Sequence, residues 1–146
     1  MNTRAYSNSA DAVQFSLPGP QALLIHQVLN EILHGIRGIR IESQVGMDEA
    51  GLKEVFAFVN GWVREQPRDA QDLPVVSFEQ PLDRSYSVSE IRALRNAVEL
   101  VMLELGQEEF FTRTGFSLSE AAALLDHFNA ALLRPLHIEH SRVTAH

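Results

Sequence analysis

The chain has 146 residues, 45% of them hydrophobic and 21% charged, which is enough to bury one core without disulfide or metal staples. It contains no cysteine, so disulfides, zinc–thiolate sites and thiol nucleophiles are excluded. Its formal charge of −7 repels nucleic-acid backbones and argues against broad anionic partners.

Residues 1–10 are polar and lack the apolar core of a signal peptide, and no later apolar run reaches bilayer length. The expected location is the cytoplasm, with no membrane contact. Val13-Gln14-Phe15-Ser16-Leu17 alternates apolar and polar side chains as a strand does, and so do Ile39-Arg40-Ile41 and Leu136-His137-Ile138. Gly19 and Pro20 lead into an amphipathic helix with the stripe Leu24, Ile25, Val28, Leu29, Ile32, Leu33 and Ile36 and an end at Gly35. A second helix, capped by Asp48, carries Leu52, Val55, Phe56, Val59, Trp62 and Val63 and ends at Asn60-Gly61 or a few residues beyond.

Residues 64–85 hold Pro67, Pro74 and Pro81 and read as a connector, although Val75-Val76-Ser77-Phe78 is β-prone. Ser87-Val88-Ser89-Glu90 and Ser117-Leu118-Ser119-Glu120 have capping-box spacing, with Tyr86 placed to staple onto Ile91 and Phe116 to face Ala121. Helix ends are expected at Gly106 and before Pro135.

A shift of 69 superposes the halves: Gly46 falls on Gly115 (115 − 46), and the first stripe falls on Ala93, Leu94, Ala97, Val98, Val101, Met102 and Leu105. Leu52, Val55, Phe56, Val59, Trp62 and Val63 likewise fall on Ala121, Leu124, Leu125, Phe128, Ala131 and Leu132. The reading is a single domain over 1–146, with an internal repeat over 15–63 and 86–132 joined by 64–85. The expected fold is mainly α, two helix-turn-helix units packed into one core with a few short β segments; the alternative is α+β with a small sheet.

The segment Glu109 to Ser117, with its counterpart Ile41 to Asp48, looks like the turn of a DNA-binding helix-turn-helix. The following helices open on Asp48-Glu49-Ala50-Gly51 and Ser117-Leu118-Ser119-Glu120, which present acid where base readout needs Arg, Lys, Asn or Gln. His137 and His140, around Glu139, are the candidate metal ligands, although the further ligands a metal site needs are not identified. His26, Asn30 and His34 recur along the edge of one apolar stripe. Glu31 beside them needs a cationic partner if buried, and Arg37, Arg40 or Arg113 could supply it. Asn30, Glu31, His34 and Arg113 are thus the candidate interaction residues. No phosphate loop, nucleophile elbow or H-E-x-x-H is present, so no catalytic residue and no cofactor is assigned.

Leu29-Asn30-Glu31-Ile32-Leu33-His34-Gly35-Ile36, with Arg113-Thr114-Gly115 and its following helix, resembles short uncharacterised bacterial proteins that carry an L-N-E-x-x-x-G-I helix and a later R-x-G turn. The resemblance implies a small bacterial cytoplasmic protein and brings no activity with it. Trp62, Phe56, Phe58, Phe110, Phe111, Phe116 and Phe128 exceed the aromatic needs of one small core, and spare aromatics favour interfaces. The expectation is a non-enzymatic interaction or regulatory protein acting through a helical surface, on a protein partner or as a homodimer. A helix-turn-helix DNA-binding regulator is the alternative, and a small-ligand or metal-binding enzyme the third reading.

Overall fold

The computed structural model describes the backbone of residues 12–145 and the side chains of residues 12–133. In chain order it contains β1 (Val13–Leu17), α1 (Gly19–Asn30) prolonged by a π turn (Glu31–Gly35), a short α2 (Ile41–Val45), α3 (Glu49–Arg64), β2 (Leu82–Tyr86), α4 (Val88–Thr114) and α5 (Leu118–Ala145). The protein is mainly helical, with one antiparallel sheet of two strands among the described residues. Among the described residues, no helix is long and apolar enough to cross a membrane.

Local chemistry accounts for most boundaries. Pro20 sits in the first turn of α1, where a missing N–H goes unnoticed. Asp48 Oδ1 accepts from the Gly51 N–H at 2.8 Å to open α3. Reciprocal capping boxes start α4, with Glu90 N–H to Ser87 Oγ at 3.0 Å and Ser87 N–H to Glu90 Oε1 at 2.9 Å, and α5, with 3.1 and 2.8 Å between Ser117 and Glu120. Each cap is worth about 1 kcal/mol. α4 is interrupted at Gly106, whose φ of 75° and ψ of 175° no helix interior tolerates.

The shift of 69 recurs in the geometry. β1 and β2 have bounds 69 apart (82 − 13), and Asp48 and Ser117, also 69 apart (117 − 48), both cap helices. Gly46 and Gly115 each end a helical turn in the left-handed region, at φ 94° and 82°, as a side chain rarely would. In the sheet Phe15 faces Arg84, its own counterpart, so the pairing is symmetric about that point. The bond between His26 Nε2 and Asn60 Oδ1 (2.9 Å) has its equivalent in Arg95 Nε donating to Asn129 Oδ1 (2.8 Å). α1 packs against α3 and α4, α4 runs along α5, and α2 lies on α4. Buried residues from both halves form one cluster, in which Tyr86, Phe110 and Phe128 are the largest fully covered side chains. Burial of each such ring contributes roughly 1.5–3 kcal/mol.

Four local expectations change. β2 lies, all but Tyr86, within the stretch read as connector, because a charge occupies its middle inward position and masks the alternation. The Arg84 guanidinium instead lies over the rings of Tyr86 and Phe58, at 4.6 and 5.1 Å. Val75–Phe78 is not a strand: the connector folds on itself, with Val75 N–H donating to Pro67 O at 2.7 Å and Asp69 Oδ1 accepting from the Gln71 and Leu73 N–H groups. Ile39–Ile41 gives way to the start of α2, where the Arg40 N–H is satisfied by Gln44 Oε1 at 2.6 Å. Finally, α5 passes through Pro135 and takes in Leu136–Ile138, since proline removes only one bond from a ladder that the flanking turns sustain.

Candidate functional site

Glu31 lies in the π turn, where Ile36 N–H reaches back to the Glu31 carbonyl at 2.8 Å, a register that sets the Glu31 side chain over Gly35. The carboxylate is buried, and its counter-charge comes from the other half of the chain. Arg113 Nη2 stands 2.9 Å from Glu31 Oε1 while donating its hydrogen bond to the Gly35 carbonyl at 3.1 Å. The contact to Glu31 is therefore ionic without an aligned hydrogen bond, and Oε1 has no other partner. Arg113 Nη1 also faces Glu109, at 3.7 Å. Of the three arginines weighed from sequence, Arg113 is the one that pairs. A side chain at position 35 would meet the Glu31 carboxylate, with Cδ only 2.8 Å from a Cβ there.

The other candidates separate. His26 is bonded to Asn60 and stacked on Phe56 at 5.1 Å, and His34 meets the edge of the same ring at 6.2 Å. Asn30 is half-buried. His137 and His140 lie outside the described side chains. Among the described residues no group of three His, Cys, Asp or Glu could hold a metal ion.

Sequence reasoning missed two clefts where the halves meet. The larger, about 150 Å³, is lined by Pro20, Gln21 and Leu24 of α1, Phe116, Glu120 and Ala123 at the start of α5, and Phe78 of the connector. Its walls are almost wholly apolar, and Phe78 is 73% exposed at the rim. The connector is fixed there because the Ser77 backbone runs directly over Gly19, its nitrogen 2.9 Å from where a Cβ would stand. Behind the cleft, Gln21 Oε1 bonds His127 Nδ1 at 2.8 Å, and the imidazole lies against Phe15 at 4.5 Å.

Shifting Pro20 and Leu24 by 69 gives Ser89 and Ala93, which line the second cleft, about 90 Å³, with Val45, Gly46, Arg92 and Asn96. There Asn96 Nδ2 donates to the Val45 carbonyl at 3.0 Å. The two clefts share these two shifted positions, and the second is walled by both polar and apolar groups.

Away from the clefts, Tyr86 Oη and Arg84 Nη1 are buried without a hydrogen-bond partner. Burial pushes the Tyr86 phenol above its ordinary 10.0, against the opposing effect of Arg84. Of the aromatics expected to exceed the core, Phe110 and Phe128 are buried, Phe56, Trp62 and Phe116 pack against it, and Phe58 and Phe111 are exposed. Comparison with protein families, with curated proteins and with solved structures finds no match for this chain.

Proposed function

We propose that this is a non-enzymatic interaction protein that receives an apolar side chain of a protein partner in the cleft between the starts of α1 and α5. The observation that carries the reading is the size and lining of that cleft. Small-molecule sites usually measure roughly 300–1,000 Å³, whereas about 150 Å³ with apolar walls suits one ring or branched aliphatic group. A single buried anchor surrounded by weaker contacts is how protein interfaces concentrate their binding energy. A helix-turn-helix contact with DNA is less well supported, since α3 and α5 open on Glu49 and Glu120. The proposal takes the chain as a bacterial cytoplasmic protein whose halves descend from one duplicated unit.

Native mass spectrometry of the protein isolated gently from its own host provides the test, with Ala123→Trp as the cleft-filling variant; Ala123 is exposed, so the substitution is compatible with folding. The wild type carries a second polypeptide, and the variant loses it. A partner held equally by both forms, or a bare monomer in both, contradicts the proposal, and a mass of two identical chains assigns the surface to a homodimer instead.

A further inference from the structure

We infer that the side chain received by the larger cleft belongs to a cationic segment, an apolar anchor of phenyl or isobutyl size flanked by lysine or arginine. This rests on the interaction role proposed above and names the partner's chemistry. Glu120 stands in the cleft wall, and the stretches that carry the lining residues, 19–24, 77–80 and 116–126, add Glu79, next to Phe78, and Asp126, three residues after Ala123, and hold no Lys or Arg. All three carboxylates are exposed. Glu120 uses Oε1 to accept from the Ser117 N–H at 2.8 Å, which leaves Oε2 for an incoming cation. The counterpart cleft differs on this point, because Arg92 stands in its wall.

A second copy of the chain is the wrong occupant on the same grounds. Each copy carries −7, and the acidic rim would have to face a net acidic molecule. A cationic segment is attracted at long range and paired at the rim, while its anchor supplies the desolvated contact. The exposed rim also makes the charge contribution salt-sensitive, since charges in water are screened within about 8–10 Å at ordinary ionic strength.

The experiment is ¹⁵N–¹H NMR titration of the full chain with three capped tripeptides: Lys-Phe-Lys, Lys-Ala-Lys and Glu-Phe-Glu. Lys-Phe-Lys is expected to shift the amides of Gln21, Phe78 and Ala123 saturably. Glu-Phe-Glu should bind at least about fivefold more weakly at low salt, and Lys-Ala-Lys should shift nothing saturably, given the small size of screened pair energies and the larger value of a buried ring. The triple variant Glu79→Gln, Glu120→Gln, Asp126→Asn keeps the cap, because Gln serves the same box. In it the two Phe peptides should bind alike. Equal binding of both by the wild type overturns the inference and leaves the cleft as a binding site. No saturable shift with either Phe peptide overturns the inference and the interaction role together. Shifts at the cleft that depend on protein concentration alone overturn it in favour of a second copy.

Discussion

Gly19→Ala is expected to lower the unfolding free energy by about 2 kcal/mol, the usual scale of overpacking, although helix propensity alone predicts the opposite sign. Alanine is preferred over glycine in helices by up to about 1 kcal/mol, and Gly19 is the first residue of α1. The contact with Ser77 decides the outcome. Gly19 is buried, and an added Cβ would meet the backbone of Ser77, its nitrogen at 2.9 Å and its carbonyl carbon at 3.0 Å. Backbone has no rotamer to escape into, so either α1 shifts or the connector lifts and takes Phe78 off the rim of the cleft. Urea unfolding measures the loss. A Gly19→Ala variant as stable as the wild type would mean that the connector does not rest on α1.

Arg113→Ala carries the second large effect. Glu31 is 8% exposed, so removing its counter-charge leaves a carboxylate that can neither reach water freely nor find another cation. Breaking a fully buried pair costs about 3–5 kcal/mol. The Arg113 side chain is 32% exposed, which lets water relax part of that cost, and a loss of about 2 kcal/mol is expected. Neutralising the stranded charge should then help: Glu31→Gln in the Arg113→Ala background recovers part of the loss, although the same substitution in the wild type destabilises. A double-mutant cycle by urea unfolding reads this coupling directly. Additive single effects would show that the two side chains are merely neighbours.

The glutamate and glycine of the L-N-E-x-x-x-G-I stretch and the arginine of the R-x-G turn thus meet in one contact. Sequence could show that Glu31, sitting in an apolar helix, needed a cation. It could not choose among three arginines, because the choice depends on how the halves pack. Gly35 read only as a helix end, whereas its lack of a side chain is what admits the Glu31 carboxylate.

The helical stripes, the two capping boxes and the Asp48 cap were legible because each is a local pattern with fixed spacing. β2 was hidden by Arg84, yet the shift of 69 applied to Val13–Leu17 lands on Leu82–Tyr86 and would have placed it. Val75 and Phe78 misled in the other direction: β-prone residues form no strand when a proline-rich loop satisfies its own backbone. The clefts were illegible for a different reason. Their walls come from α1, the connector and α5, and only the packed structure brings Pro20, Phe78 and Ala123 together.

A partner laid over the seam between the starts of α1 and α5 should leave a footprint in hydrogen–deuterium exchange, measured on the chain alone and in complex with any polypeptide that accompanies it from its host. Added protection confined to residues 19–24, 77–80 and 116–126 is expected. Protection that spares these segments and falls on the sheet or on α2 would contradict that placement.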